Sequence, residues 1–171
     1  MSRLMTIRRI TVIALMSALI FVLTVLPRIP TPVGGYIHLG DVAITFSALA
    51  FGPWVAAVAG GIGTALADIG AGYAQFALFS FLVHGLQGAV VAFLVRKNLS
   101  MLTLASGVLA GAFIVMGGYF LAEVVLYGLG EAVLELLPNF IQGLAGGIIG
   151  VPLYMTVEKA YPPLSRYRNH L

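Results

Sequence analysis

Residues 52–68 read GPWVAAVAGGIGTALAD, a run whose only charged side chain is that of the last residue, Asp68. The Gly52-Pro53 pair at its start predicts a helix break, and the apolar residues after it predict a helix inside a membrane. The rest of the chain has the same character, since 60% of its 171 residues are hydrophobic, 9% are charged and the mean hydropathy is +1.04. Soluble domains carry about 25% charged residues to keep their surfaces hydrated. The chain is therefore predicted to be an all-α integral membrane protein.

Six apolar segments predict a single membrane domain of six transmembrane helices over residues 1–171. No A-x-A-like cleavage site follows the first segment, which predicts a retained span rather than a cleaved signal peptide. The second segment is short for a crossing, so it is either a tilted short helix or part of a re-entrant hairpin with the third. The predicted segments are approximately 7–26, 41–52, 54–69, 76–95, 99–127 and 132–157.

The charged residues predict an orientation with both termini in the cytoplasm. With that orientation eight of the nine basic residues lie inside and only Arg28 lies outside, as the positive-inside rule requires. Because these cations sit at segment ends rather than in one patch, they do not indicate nucleic-acid binding. The acidic residues show the reverse bias, and those predicted to lie toward the outer face are Asp41, Asp68, Glu123, Glu131 and Glu135.

Polar side chains within the spans are the first functional candidates, because such groups are costly in hydrocarbon. They form three stripes at helical spacing toward the outer half of the bundle. The stripes can converge on one ligand pocket, or they can form interhelical hydrogen bonds that lock the bundle. Their members are His84 and Gln87, then Tyr119, Glu123 and Tyr127, and finally Asn139 and Gln142.

The loop GGYIHLGD at residues 34–41 places further polar groups at the predicted outer mouth. Tyr36 and His38 either cap a pocket there or belong to a solvated loop. Tyr73, in the loop 70–73, is a further candidate for ligand contact. Asp41 is interpreted as the N-cap of the second segment.

Small residues recur at i, i+4 spacing, which allows close approach of helices in lipid. Internal packing is the predicted role of most of them. The pairs are Gly107 with Gly111, Gly143 with Gly147, Gly146 with Gly150, and Ala14 with Ala18.

Motifs for catalysis are missing from the sequence. It has no P-loop of the form G-x-x-x-x-G-K-[ST], no H-E-x-x-H and no G-x-S-x-G, and it contains no cysteine. The three histidines are scattered, so no metal site is predicted. The chain is therefore expected to have no catalytic residues and no cofactor of its own.

Several ordered stretches resemble the substrate-binding S components of energy-coupling factor (ECF) vitamin transporters, especially the riboflavin-type or hydroxymethylpyrimidine-type branch. The resemblance covers nearly the whole chain. The stretches are ALMSA at 14–18, IHLGD at 37–41, the opening run 52–68, HGLQG at 84–88, GYFLAE at 118–123 and PNFIQGLAGGIIGVPL at 138–153.

The resemblance implies a six-helix protein of a prokaryotic plasma membrane that binds a vitamin or vitamin precursor near its outer surface. It also implies association with a transmembrane T subunit and two ABC ATPases, which would use the ATP. In that family the A-x-x-x-A of the first span faces the T subunit, so Ala14 and Ala18 become docking candidates. The alternatives are a stand-alone facilitator and a small intramembrane enzyme, for which Glu123 with His84 would be the reactive pair.

The fourth segment departs from the family pattern. Related S components often read K-G-x-E-G there, whereas this chain has HGLQG at 84–88. The loss of both charges favours a neutral, hydrogen-bonding ring as ligand, with Glu123 accepting from an amino group or protonated ring nitrogen and Tyr119 and Tyr127 stacking on the ring. Hydroxymethylpyrimidine or pyridoxine fits this description, and riboflavin is possible. Carboxylate vitamins fit less well, because the predicted pocket contains no basic residue.

Overall fold

Five long helices form the protein in the computed structural model, which describes residues 3–26, 28–31 and 33–170. All five are long and apolar enough to cross a membrane, which confirms the all-helical prediction. Two prolines of the predicted loop, Pro27 and Pro32, lie outside the described residues. So does the side chain of Arg3, which belongs to the predicted cytoplasmic charges. The helices are α1 (Arg3–Val25), α2 (Gly40–Ala71), α3 (Ala77–Val95), α4 (Met101–Leu126) and α5 (Leu129–Ala160), followed by the short α6 (Tyr167–His170).

The second and third predicted segments form one element, α2, which is interrupted at Gly52. Gly52 has φ 80° and ψ −175°, a conformation that glycine adopts without steric cost. The two arms, 40–51 and 53–71, fold back on each other. This is shown by Gly60 and Ile44, which lie on different arms: a Cβ atom on Gly60 would be 3.5 Å from Ile44 Cγ1. In a straight helix these two residues would be about 24 Å apart.

This hairpin is where the structure differs from the prediction of six separate helices. The first arm has a length of about 18 Å, which is shorter than the roughly 30 Å hydrocarbon core of a bilayer. The number of complete crossings and the orientation of the termini therefore remain predictions.

The two glycine pairs of α5 pack against two different helices. Gly143 and Gly147 lie against Ala112 and Val108 of α4, whereas Gly146 and Gly150 lie against the first arm of α2. These contacts agree with the predicted packing role. Ala14 and Ala18 differ, since both are exposed on the outside of α1.

A short two-stranded ribbon closes one end of the bundle. Its strands are β1 (Ile29–Pro30) and β2 (Tyr36–Ile37), which pair antiparallel with Ile29 opposite Ile37. The ribbon lies in the connection between α1 and α2, and it positions Tyr36 and His38 at the predicted outer mouth.

The exterior of the bundle is apolar, whereas several polar side chains are buried. Asp41, His84 and Gln87 are almost completely buried, whereas large apolar side chains such as Trp54 and Phe93 are 69% and 68% exposed. An apolar exterior, with polar groups buried among the helices, is the arrangement that a lipid environment favours.

Candidate functional site

A cavity lies beneath the ribbon, where α2 ends and α4 and α5 meet. It is small, with room of about 30 Å³ for water-sized spheres, enough for about two water molecules. A ring-sized molecule does not fit this volume unless lining side chains move. The cavity is lined by Thr31, Gly35, Tyr36, His38, Asp68, Tyr73, Phe76, Tyr119, Glu123, Glu135, Asn139 and Gln142.

Seven of the ten residues proposed from the sequence for ligand contact line this cavity, so the three polar stripes converge only in part. His84 and Gln87 lie behind the wall, buried between α2 and α4. Tyr127 lies outside the cavity, where its hydroxyl accepts a hydrogen bond from Gln75 Nε2 at 3.2 Å. The seven lining residues are Tyr36, His38, Tyr73, Tyr119, Glu123, Asn139 and Gln142.

Tyr36 connects the ribbon to the second arm of α2. Its hydroxyl donates to Asp68 Oδ1 at 2.7 Å, and its ring packs against Tyr73 with the ring centroids 4.9 Å apart. Burial, together with the neighbouring Asp68 carboxylate, raises the pKa of Tyr36 far above its ordinary value. The hydroxyl therefore stays protonated and acts as a donor at the edge of the cavity.

The same connection is also held by α5. The backbone N–H of Val33 donates to Glu135 Oε1 at 3.2 Å, and the backbone N–H of His38 donates to Gln142 Oε1 at 3.1 Å. Because these contacts use side chains on one face of α5, a movement of the connection would expose that face to an entering ligand.

His38 presents a ring N–H to the cavity. Its Nδ1 accepts a hydrogen bond from the backbone N–H of Gly40 at 3.1 Å, which places the proton of the neutral ring on Nε2, 3.4 Å from Gln142 Nε2, which is itself a donor. Burial lowers the pKa of His38 to about 4, against the weaker opposing effect of Asp41. At neutral pH the uncharged ring can therefore donate through Nε2 to an acceptor on a ligand.

Asp41 is not the N-cap that the sequence suggested. The N-cap is Leu39, and no side chain caps this helix. Gly146 of α5 packs directly on the backbone and Cβ of Asp41, and the Asp41 carboxylate contacts α3, where its Oδ1 accepts from Gln87 Nε2 at 2.6 Å. The cap prediction is wrong because the Asp41 side chain contacts α3 and α5 and does not bond the first backbone N–H groups of its own helix.

The buried carboxylate of Asp41 begins a chain of hydrogen bonds across α3 to α4. His84 Nδ1 lies 2.8 Å from Gln87 Oε1, and His84 Nε2 lies 3.1 Å from the Tyr119 hydroxyl. The Tyr119 hydroxyl in turn lies 2.6 Å from Ser80 Oγ. His84 and Gln87 thus orient the Tyr119 side chain, which lines the cavity, without lining it themselves.

The histidines are less scattered than the sequence suggested. His38, Asp41 and His84 bring possible metal-ligand atoms within 4.8 Å of one another. However, His38 Nδ1 is engaged by the backbone of Gly40, and Gln87 bonds both Asp41 and His84. A metal ion would have to displace these bonds, so we assign the cluster to the hydrogen-bond network.

Five of the lining residues are not among those proposed from the sequence for ligand contact, and two of the five, Asp68 and Glu135, carry charge. Glu123 Oε1 accepts from Asn139 Nδ2 at 3.2 Å, whereas Glu123 Oε2 and Asp68 Oδ2 are buried and have no hydrogen-bond partner among the described residues. Three carboxylates and no lysine or arginine line the cavity. Such a site favours ligands that donate hydrogen bonds or carry positive charge.

Helical spacing contained a signal for one of these residues. Glu135, Asn139 and Gln142 stand at i, i+4 and i+7, so the stripe recognised at 139 and 142 extends to Glu135 on the same helix face. The role of Asp68 depends on Tyr36, which is 32 residues away in sequence, and helical periodicity does not reveal such a contact.

Comparison with known proteins gives consistent matches over nearly the whole chain. The family model described as ECF-type riboflavin transporter, S component, matches residues 4–159. The chain is 32% identical over 155 residues to the thiamine precursor transporter HmpT of Lactococcus lactis subsp. cremoris, covering 90% of this chain and 89% of that protein. It is 37% identical over 144 residues to an uncharacterized protein of Pyrococcus woesei, covering 84% of this chain and 97% of that protein.

A solved structure has the same fold. It is the S component of a bacterial ECF transporter, and it superposes with a TM-score of 0.73 over 91% of this chain and 98% of its own length, at 18% sequence identity.

Proposed function

The chain belongs to the family of ECF-type riboflavin transporter S components, and from this premise we propose that it captures a single-ring vitamin or vitamin precursor for an ECF-type ABC importer. Ligand binds at the extracellular side, in the cavity beneath the ribbon. The family and the structural neighbour are transporter S components rather than enzymes. Among the described residues, His84 and Glu123 form no hydrogen bond with each other, so the suggested reactive pair for catalysis has no geometric support.

The observation that carries the choice of ligand is the pair of unpartnered carboxylate oxygens on Asp68 and Glu123. An exocyclic amino group or protonated ring nitrogen can donate to them, while a ring nitrogen accepts from His38 Nε2. Tyr73, Phe76 and Tyr119 supply aromatic walls for a ring. Hydroxymethylpyrimidine has this combination of donors and acceptors, and pyridoxine is the next candidate.

Two further observations support a small ring. A single ring requires a smaller displacement of the lining side chains than the three fused rings of riboflavin, because the cavity itself is small. The relative from Lactococcus is named as a thiamine precursor transporter. A ligand with a carboxylate would meet three carboxylates and no cation among the cavity-lining residues, so lipoate and pantothenate are disfavoured.

The proposal is tested by titrating the purified chain with hydroxymethylpyrimidine, pyridoxine, riboflavin, pantothenate and lipoate and measuring bound ligand by native mass spectrometry and calorimetry. We expect Glu123→Gln to weaken binding of the preferred ring by about tenfold or more, because it replaces one of the two acceptor oxygens by an amide N–H donor. Glu131→Gln is the matched control, since Glu131 is exposed in the first turn of α5. Tight binding of a carboxylate vitamin and of none of the rings would overturn the ligand assignment.

Energy for uptake comes from partner subunits in this proposal. The sequence has no P-loop, so ATP hydrolysis is assigned to two ABC ATPases that are linked to the chain through a transmembrane T subunit. Ala14 and Ala18 are exposed on α1 beside Leu15, which is 64% exposed. Two small residues one turn apart allow a partner helix to approach closely there.

A further inference from the structure

A second cavity lies on the outside of the bundle, in a groove between α4 and α5. Its volume is about 440 Å³, and every one of its ten lining residues is apolar, five from each helix. On both helices these residues recur at i, i+3, i+4, i+7 and i+8, from Met101 to Leu109 and from Leu144 to Pro152. Each helix therefore contributes one continuous face about 12 Å long.

The depth of the groove follows from small residues at its base. Gly147 has no side chain and packs directly on Val108, so the two backbones approach closely there. Ala105 is exposed and fills little of the remaining space. The result is a furrow with apolar walls on a surface formed by helices of membrane-spanning length.

Basic side chains stand at one end of this groove only. Gly143 faces Ala112 and Gly147 faces Val108, so α4 and α5 run antiparallel. Lys97, in the connection that leads into α4, and Lys159, in the last turn of α5, therefore lie at the same end of the two helices. Both lysines are exposed, and among the side chains that the structure describes no carboxylate lies within ion-pairing distance of either.

We propose that this groove binds an acyl chain of an anionic phospholipid, with the lipid phosphate held by Lys97 and Lys159. The apolar walls match a hydrocarbon chain, and the two unpaired cations at the predicted membrane surface match a negatively charged head group. Long lysine side chains can lie along an apolar wall and extend their ammonium groups to the interface. The site is separate from the vitamin cavity, so it does not depend on the identity of the ligand bound there.

The test is native mass spectrometry of the full chain, purified in detergent and supplied with phosphatidylglycerol or phosphatidylcholine carrying identical acyl chains. We expect one phosphatidylglycerol to be retained preferentially. Lys97→Gln and Lys159→Gln should each reduce this preference by about fivefold, whereas Arg28→Gln at the opposite end should not change it. Ala105→Phe should displace the lipid by filling the groove, and Leu121→Phe is the control at an exposed position of α4 outside the groove.

Several outcomes would overturn the proposal. Equal retention of the two lipids would show that the lysines do not select the head group, and equal effects of Ala105→Phe and Leu121→Phe would show that the groove is not the site. A dimer that Ala105→Phe dissociates would assign the groove to a second copy of the chain. If Ala105→Phe does not fold, as judged by thermal unfolding, the lysine variants still decide the result.

Discussion

Gln87 satisfies two buried groups at once, and this explains why an amide is suited to its position. Its Nε2 donates to Asp41 and its Oε1 lies within hydrogen-bond distance of His84 Nδ1. The K-G-x-E-G pattern of related S components has a carboxylate at this point and a lysine three residues before it. In this chain a carboxylate at position 87 would stand next to Asp41 with no lysine beside it.

Gln87→Glu is therefore expected to destabilise the protein strongly, because it places two buried carboxylates in contact. Leaving a buried charge uncompensated typically costs 3–5 kcal/mol. Adding His84→Lys should recover part of the loss by supplying the cation of the family pattern. The measurement is thermal unfolding of both variants and of His84→Lys alone, and a Gln87→Glu variant as stable as the wild type would contradict the network described for Asp41.

The neutral ring of His38 makes stability depend on pH. Because burial lowers its pKa from about 6.5 to about 4, the unfolded chain binds a proton more readily than the folded chain between these values. The contribution of the neutral ring to stability is therefore complete above pH 6.5 and is lost as the pH falls toward 4. The loss is of order 3 kcal/mol.

The measurement is the difference in thermal stability between the wild type and His38→Asn at several pH values from 7.5 to 4. The groups that face the ring are Asp41 at 3.8 Å and the rings of His84 and Tyr36, each with its centroid 5.6 Å away. These groups are present in both proteins, so the difference between the curves reports on His38. We expect the advantage of the wild type to shrink on acidification, and parallel curves would contradict the assignment of a neutral buried ring.

At the scale of the helices, Gly146 and Gly150 of α5 allow close contact with the first arm of α2. A Cβ atom added at Gly146 would overlap the Cβ of Asp41 and come within 2.9 Å of its backbone, which cannot move away easily. Gly146→Ala should therefore destabilise the protein by about 1–3 kcal/mol. Gly117→Ala is the matched control, because a Cβ atom there meets nothing within 4 Å, and it should be neutral or slightly stabilising.

Thermal unfolding of the two glycine variants decides this prediction. A large loss in Gly146→Ala alone would support the close α2–α5 contact at Asp41. Equal behaviour of the two variants would show that these helices are farther apart than the structure indicates.

Much of the helix arrangement follows from local signals in the sequence. The Gly52-Pro53 pair marks the break in α2, and the apolar runs mark the long helices within a few residues. The sequence leaves two geometries open for the chain at Gly52, because hydropathy does not distinguish a tilted helix from a hairpin. Asp41 was misassigned for a related reason, since capping is a local signal and the contact with Gly146 is not.

The candidate site could be predicted where its residues repeat along one helix. Periodicity found Glu123, Asn139 and Gln142, and it also selected His84 and Gln87, which belong to the second layer of side chains behind the cavity. It could not find Asp68, whose place at the cavity depends on Tyr36 from the ribbon. Contacts between separate elements are determined by packing, which a single sequence does not reveal.

For the whole molecule, the distance between the proposed ligand cavity and the proposed docking face leads to the last prediction. The carboxylates gather around the cavity, whereas Ala14 and Ala18 lie exposed on α1, away from its lining. Bulky side chains at these positions should block a partner helix without changing the ligand cavity.

Ala14→Phe with Ala18→Phe is therefore expected to abolish co-purification with a T subunit and ATP-dependent uptake in proteoliposomes, while ligand affinity of the isolated chain stays within about twofold of the wild type. Leu86→Phe, at an exposed position of α3, is the control for added bulk on the lipid-facing surface. Loss of ligand binding in the alanine variant would place α1 in the capture site instead. Uptake by the chain alone, without T subunit or ATPases, would show that it acts as a facilitator and needs no docking face.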